Sequence, residues 1–387
     1  MRYVNSIFAS LLKPIDRRSF QAIVSRYDAD AYDKSFKSWG HLVVLIYAQL
    51  SHANGLRGIE AAFNANAHHH YHLGVGALSR STLSDANARR PVRVFAEVFA
   101  MLARMTDRMT RHAADEMLRL IDASPIPLGE MCRWATWNGR IRGMKMHVVY
   151  DPQTDCPRDV EITPATVNDI EIGRRVAIEA GATYVFDKGY CHYGWWAKID
   201  AANAHFVTRP KENARLRLRK RRPVGESVGD GFTIIDDAEV VLASKGDSKL
   251  PIPLRRIRVK RDQGGTITLI TNDMNRTAVE IAALYKARWQ IELLFRWIKQ
   301  HLHIRKFLGN NDNAIRLQVL AAMIAYLLLR IAARTHGVKM PALRLAELVG
   351  QCLFIRKSIA KIHKPPPINP NKPMPRFSPD QMAFRYV

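Results

Sequence analysis

Apolar residues recur at helical spacing through the first 92 residues of the chain. The stretch 39–50 is almost entirely apolar, and a further helix is predicted at residues 55–65. Ser79 opens the next helical stretch and Pro91 closes it, as expected because hydroxyl residues cap helices and proline ends them. Short helices around the glycines at 74 and 76 resemble a helix-turn-helix DNA reader, and a plain helical bundle is the alternative.

From residue 117 the pattern changes to strands alternating with helices. Strands are predicted at residues 118–121, 142–150, 158–163, 182–186 and 205–209, and helices at 168–180 and 194–202. The second and third strands should pair as a hairpin, because both alternate apolar and polar positions. Asp122 and Asp187 follow the first and fourth strands. This order, with carboxylates at two strand ends, predicts an α/β fold with a ribonuclease H-like core.

The predicted core is interrupted after residue 210. A basic stretch at 211–224 precedes three further predicted strands, at 232–244, 254–260 and 266–272. We interpret this segment as a β-rich insertion with a basic edge, whose cations bind DNA phosphates without reading sequence. The residues predicted to do so are Arg217, Arg219, Lys220 and Arg221.

A helix predicted at 281–303 carries a polar face. Tyr285, Arg288, Glu292 and Lys299 lie at offsets 0, 3, 7 and 14. At about 100° per residue, these offsets span a face about 60° wide, which Arg296 joins. Carboxylates hold divalent cations, and Arg, Lys and Tyr contact phosphates, so the face is suited to nucleic-acid strand chemistry. A solvated helix face with incidental ion pairs is the alternative.

Composition points to the same partner. The 387 residues carry a formal net charge of +24, which attracts polyanions such as DNA. The most apolar stretch, 317–329, is shorter than the roughly 20 residues that span a membrane, so we expect a buried helix and a cytoplasmic protein. The four cysteines form no CxxC pair, which indicates neither a disulfide framework nor a cysteine zinc site. The histidines at 68–70 and 72 lack a companion carboxylate or cysteine at ligand spacing, so they predict a polar loop.

Asp122, Asp187 and Glu292 are the candidate metal ligands. If the fold brings them together, three carboxylates can hold two divalent cations, one activating water or a 3′-hydroxyl and one stabilising the leaving oxygen. Hard oxygen ligands favour Mg²⁺ or Mn²⁺ over zinc.

The motifs around these residues resemble one family. The spacing Tyr285-x2-Arg288-x3-Glu292-x6-Lys299 is similar to the Y-R-E-K signature of DDE insertion-sequence transposases of the insertion sequence 4 family. The segments LIDAS at 120–124 and VFDKGY at 185–190 resemble the blocks that carry the two aspartates of that family. The resemblance covers nearly the whole chain, including a helical domain in front of the catalytic domain.

The resemblance implies roles for these residues. Asp122, Asp187 and Glu292 would be the metal-binding catalytic triad, and Tyr285, Arg288, Lys299 and Arg296 would grip phosphates near the transposon end. The insertion would lie over the active site and contact the end DNA. Relatives that cut through a hairpin use a tryptophan of the insertion to hold a flipped base, and residues 197–288 contain none. Phe232 is the remaining candidate for stacking.

These inferences divide the chain into five parts. They are an all-α DNA-binding domain at 1–100, the first part of the core at 117–210, the insertion at 211–273, the helical part of the core at 274–335, and a helix with a proline-rich tail at 336–387. The expected activity is metal-dependent cleavage and transfer of double-stranded DNA by a homodimer that pairs two transposon ends. The alternatives are a catalytically silent DNA-binding relic and a metal-dependent nuclease without strand transfer.

Overall fold

The computed structural model describes residues 5–51, 54–109, 117–225, 227–242, 252–301 and 307–364. In the described residues before the first strand the regular elements are helices, as the apolar spacing predicts. They are α1 (Ile7–Leu12), α2 (Arg17–Arg26), α3 (Ser38–Leu50), α4 (Gly55–Asn64), α5 (His70–Leu73), α6 (Arg80–Arg89) and α7 (Val92–Arg108). Ser79 occupies the N-cap position of α6, but its hydroxyl contacts Ser81 instead of the helix backbone.

Strands and helices alternate in the rest of the described chain. The strands are β1 (Met117–Pro127), β2 (Gly143–Asp151), β3 (Cys156–Pro164), β4 (Ala182–Phe186), β5 (His205–Thr208), β6 (Leu216–Arg221), β7 (Val228–Gly229), β8 (Phe232–Leu242), β9 (Leu254–Arg261) and β10 (Thr266–Thr271). The helices are α8 (Asp169–Gly173), α9 (Tyr193–Ala201), α10 (Ala278–Ala287), α11 (Trp289–His301), α12 (Asp312–Thr335) and α13 (Ala342–Cys352). The proline-rich segment from 365 onward lies outside the described residues.

These strands form one mixed sheet in the order β3-β2-β1-β4-β5-β10-β9-β8-β6, with β7 beside β8. β2 lies between β1 and β3 and is antiparallel to both, whereas β4 runs parallel to both β1 and β5. β10 pairs with β5 through Ile270 and Thr208, so the inserted strands extend the core sheet. The position of the insertion over the active site stays a prediction, and its strands continue the core sheet.

Helices cover both faces of the sheet. On one face, Trp195 and Trp196 of α9 pack with Phe186 and Phe206 of the central strands. On the other face, α11 packs against β1, and α10 packs against β5, β8 and β9. The candidate catalytic residues lie on this second face.

β1 is longer than the prediction of 118–121. Its parallel pairing with β4 ends at Ile121 and Phe186, but its antiparallel pairing with β2 continues from Asp122 opposite Val148 to Pro127. Asp122 therefore lies within a strand, at the point where β1 passes the end of its parallel neighbour.

The helix predicted at 168–180 is wrong beyond Gly173. Side chains of the sheet bind the segment that follows Gly173. The Tyr184 hydroxyl accepts a hydrogen bond from the Glu179 backbone N–H (2.7 Å), and the buried Arg119 pairs with the Glu179 carboxylate (2.8 Å). These tertiary contacts outweigh a local preference for helix.

The buried helix predicted at 317–329 is confirmed as α12. Its length and composition would suit a membrane span, but 89% of its apolar window is buried inside the protein. It packs against α3, α6 and α7, and its residues share one hydrophobic core with theirs. The N-terminal helices therefore pack directly on α12.

Candidate active site

Asp122 is the most buried of the three candidate carboxylates. One carboxylate oxygen, Oδ1, accepts a hydrogen bond from the Ala123 backbone N–H (2.8 Å), and Oδ2 accepts one from Arg288 Nη1 (3.1 Å). Its side chain is 20% exposed. Burial, with lesser repulsion from Glu292 and Asp187, raises the pKa of Asp122 to about 6, against the opposing effects of Ala123 and Arg288.

Asp187 follows β4 at the same edge of the sheet. The carboxyl ends of parallel strands meet at one edge, which places Asp187 on the side where β1 carries Asp122. The Tyr285 hydroxyl donates to Asp187 Oδ1 (3.4 Å), and Arg209 Nε lies 3.3 Å from the same oxygen. Burial, followed by the Asp187 charge, raises the pKa of Tyr285 to about 12, so the phenol is a hydrogen-bond donor at neutral pH.

Glu292 is brought to the site by a break in the predicted helix. In place of one helix over 281–303, α10 ends at Ala287 and α11 begins at Trp289. Around the break the backbone forms tighter turns, with the Arg288 N–H bonded to the Tyr285 carbonyl and the Ile291 N–H to the Arg288 carbonyl.

Arg288 bridges two of the three carboxylates. Its Nη1 contacts Asp122, and its Nη2 lies 2.6 Å from Glu292 Oε1. The guanidinium is 18% exposed, and its pKa is raised because the nearby Tyr285, Asp122 and Glu292 outweigh the effect of burial. The break in the helix and the guanidinium together connect α11 to β1.

The other residues of the predicted polar face behave differently. Arg296 is exposed and lies over the Trp289 ring, with its guanidinium carbon 5.8 Å from the ring centroid. Lys299 is half-buried, two turns beyond Glu292 on α11. The structure thus brings together Tyr285, Arg288 and Glu292, while Arg296 contacts an aromatic ring beside them.

The predicted basic stretch forms the last strand of the sheet. Residues Arg217, Arg219, Lys220 and Arg221 are all exposed on β6. Among the described strands, β6 pairs with β8 alone, and the cations of β6 are exposed to solvent.

A cavity of about 450 Å³ lies between the insertion and α10. Phe232, Val259 and Arg261 line it from the insertion, and Tyr285 and Arg288 line it from the helices. The insertion therefore forms one wall of a cavity that Tyr285 and Arg288 of the candidate site also line.

Sequence reasoning missed Arg209. It follows β5, and its guanidinium contacts Asp187 and lines the cavity beside Tyr285. Its position after the third parallel strand was the available signal, since that end of the strand lies at the same edge as Asp122 and Asp187.

The donor set fits a divalent cation by its chemistry. The three carboxylates offer hard oxygen ligands, and the effect of Asp187 and Glu292 on the pKa of Asp122 places all three in one electrostatic field. In this structure, which contains no metal, no three His, Cys, Asp or Glu side chains among the described residues are gathered closely enough to coordinate one ion. Arg288 lies between two of the carboxylates instead. The polar loop predicted for the histidines at 68–70 is wrong, because these residues lie in a short 3-10 helix (Ala67–His69) and at the start of α5, and His69 and His70 are buried against Phe354 and Phe63.

Acidic residues at a sheet edge, flanked by arginines in a strongly basic α/β protein, define an enzyme that acts on the phosphodiester backbone of nucleic acids. Comparison with known proteins makes this specific. Residues 113–328, from β1 to α12, match the family model of the transposase DDE domain, and residues 4–76 match a domain of unknown function. The chain belongs to the DDE transposases, which cleave DNA strands and transfer them.

Three relatives have related names. A putative transposase of Sinorhizobium fredii is 67% identical over 305 residues, covering 79% of this chain and 86% of the relative. A probable transposase for an insertion sequence element of Geobacillus stearothermophilus is 29% identical, covering 66% and 68%. A putative transposase for the insertion sequence element IS4SA of Synechocystis is 25% identical, covering 65% and 71%. The predicted family is confirmed.

Among solved structures, the synaptic complex of the piggyBac transposase with hairpin DNA aligns with 96% of this chain and 85% of that chain. The sequence identity is 10% and the TM-score is 0.47.

Proposed function

We propose that this transposase moves an insertion sequence by using Asp122, Asp187 and Glu292 as its catalytic triad. The supporting observation is that side chains from β1, the end of β4 and α11 are linked through Arg288 and Tyr285, although they are distant in sequence. We also propose that strands β3-β2-β1-β4-β5 form a ribonuclease H-like core. Three antiparallel strands followed by parallel ones, with helices on both faces, support this assignment.

We propose two Mg²⁺ or Mn²⁺ ions as cofactors, held by Asp122, Asp187 and Glu292. Enzymes of this family generally use divalent metal ions. Such ions would supply activation of the attacking water or 3′-hydroxyl and stabilisation of the leaving oxygen. Tyr285 would donate a hydrogen bond to a DNA phosphate, and Arg288 would bind phosphate through its planar fork of donors.

The remaining assignments concern DNA and partners. We propose that Arg296, Lys299 and the β6 cations bind the DNA backbone, and that the helical domain at 1–100 recognises the terminal inverted repeats. The division at residues 117–210, 211–273, 274–335 and 336–387 remains part of the proposal. Pairing of two ends requires two active sites, so we propose a homodimer on DNA. Because the substrate is the DNA of the cell, we expect a cytoplasmic, nucleoid-bound protein.

Cleavage of a labelled duplex carrying the element's own terminal repeat tests this function. In the presence of Mg²⁺, the wild type should cut at the element boundary, while Asp187→Asn and Glu292→Gln should bind the end and leave it uncut. An amide is a poorer ligand for a hard cation than a carboxylate, so chemistry should fail while binding survives. If both variants lose binding as well, the assignment of these residues to catalysis fails.

The products separate transposition from simple nuclease activity. Joined DNA in which the cut end is linked to a target strand supports strand transfer. Cut ends that never join would instead support a metal-dependent nuclease.

A further inference from the structure

The loop between β1 and β2, residues 128–142, exposes two tryptophans beside basic side chains. Trp134 is 42% exposed and Trp137 is 60% exposed, although tryptophan usually buries most of its surface. Arg133 and Arg140 are exposed as well, and a cavity of about 670 Å³ opens beside Trp137. We call residues 128–142 the aromatic loop.

The aromatic loop has a defined conformation. Leu128, Cys132 and Ala135 are buried in the main hydrophobic core, which fixes one side of the loop. Hydrogen bonds join the Ala135 N–H to the Cys132 carbonyl (2.9 Å) and the Gly143 N–H to the Thr136 carbonyl (3.2 Å). The turn after Trp137 is held by the Asn138 side chain, which accepts from the N–H groups of residues 140 and 141. Trp137 is therefore held outward by an ordered backbone.

The aromatic loop continues the strand that carries Asp122. From Asp122 to Pro127, β1 advances five residues beyond the end of β4, or roughly 17 Å at the usual strand rise. A nucleic-acid strand rises about 3.4 Å per nucleotide, so the start of the loop lies about five nucleotides' length from Asp122.

Charge favours DNA as the occupant. Arg133, Arg140 and Arg142 are accompanied by one acidic residue in the loop, Glu130, so the loop carries net positive charge. A second copy of a chain with a net charge of +24 would bring more positive charge to this surface. Nucleic-acid strands offer the complementary charge and flat bases that stack on aromatic rings.

The exposed ring of Trp137 favours unpaired DNA over duplex DNA as the ligand. Bases in a duplex keep their faces stacked on one another, whereas an unpaired strand presents them to an aromatic side chain. We propose that the aromatic loop binds unpaired DNA next to the cleavage site, with a base stacked on Trp137 and phosphates on Arg133, Arg140 and Arg142. The proposal rests on the proposed function only in placing the cleavage site at Asp122.

The test compares two fluorescein-labelled probes, an oligothymidylate single strand and a duplex of equal length, by fluorescence anisotropy with the full chain. Stacking on one aromatic residue commonly accounts for about 5- to 150-fold in affinity. Trp137→Ala should therefore weaken binding of the single strand by at least about fivefold and leave duplex binding nearly unchanged. Trp137→Phe should retain most of the affinity. Trp137→Leu, which keeps apolar bulk without a ring, should behave like alanine.

Several results would overturn the proposal. They are equal losses on both probes, unchanged single-strand binding by Trp137→Ala, and full affinity in Trp137→Leu. Sedimentation would show a dimer interface instead if Trp137→Ala dissociated the protein while leaving DNA binding intact. Thermal unfolding of each variant confirms that the fold is retained. The anisotropy experiment measures binding and not cleavage. Its result can therefore be interpreted even if the Asp187→Asn prediction fails.

Discussion

Replacing Asp122 by asparagine should make folding stability less dependent on pH. Asp122 is largely buried at the strand where α11 meets the sheet, and Arg288, Glu292, Asp187 and the Ala123 N–H face it. Burial is the largest cause of its raised pKa, and the two neighbouring carboxylates add to it. Asparagine resembles the protonated acid in shape and carries no charge.

The magnitude follows from the pKa. A rise from 3.8 to about 6 in the folded protein corresponds to about 3 kcal/mol, at about 1.4 kcal/mol per unit. Since the folded state holds this proton more tightly than the unfolded state, the associated stability is fully present below about pH 4 and is lost as the pH rises through about 6. The free energy of unfolding of the wild type relative to Asp122→Asn should therefore fall by about 2 kcal/mol between about pH 4 and pH 7, with the remainder of the change below about pH 4.

Urea unfolding of both proteins, followed by circular dichroism in a buffer containing a chelator, measures this difference at each pH. Loss of the charged hydrogen bond to Arg288 changes the free energy of unfolding of the variant by a constant amount at high pH. The informative quantity is therefore how the difference in free energy between the two proteins changes with pH. Asp16→Asn is a suitable control. Hydrogen bonds from Ser19 lower the pKa of Asp16. The difference in free energy of unfolding between wild type and Asp16→Asn should therefore change with pH in the opposite direction.

A difference between wild type and Asp122→Asn that stays constant from about pH 4 to pH 7 would refute the reasoning. It would mean that Asp122 is better solvated than its burial indicates. The expected result would instead show that the site carries a cost in stability, as is common where like charges are brought together for function.

Two further predictions concern the insertion. Asp237 and Arg255 form a buried pair with contacts of 2.6 and 2.8 Å, so Asp237→Asn should lower the free energy of unfolding by about 3–5 kcal/mol, and replacing both residues by leucine should recover most of it. A loss below about 1 kcal/mol in urea unfolding would contradict this. On β6, reversing Arg219 and Lys220 to glutamate should weaken binding of any duplex and flatten its dependence on salt, which an unchanged slope in a salt titration would disprove.

The residues of the candidate site could be predicted because each one is marked by a pattern in the sequence immediately around it. Tyr285, Arg288 and Glu292 recur at helical spacing, and Asp122 and Asp187 directly follow apolar runs that predict strands. Apolar periodicity also predicted the N-terminal helices, the hairpin of β2 and β3, and the buried helix α12. Each of these depends on which face of one element is apolar, and a single sequence contains that information.

Contacts between distant segments decided the rest. The predicted helix at 168–180 ends at Gly173 because Tyr184 and Arg119 bind its continuation. The insertion joins the core sheet because β10 finds a partner in β5, and Arg209 contacts Asp187 because both residues follow parallel strands.

The sequence by itself determined that the chain is basic, that its opening segment is helical, and which carboxylates and cations belong to its chemistry. The tertiary structure alone decided that the helix is interrupted at Arg288, that Arg288 bridges Asp122 to Glu292, and that Trp137 of the aromatic loop faces solvent. The reason is physical. Side-chain spacing along the chain reports local periodicity, whereas burial, charge pairing and pKa depend on segments that meet only after folding, such as those of Asp122 and Arg288, which are 166 residues apart.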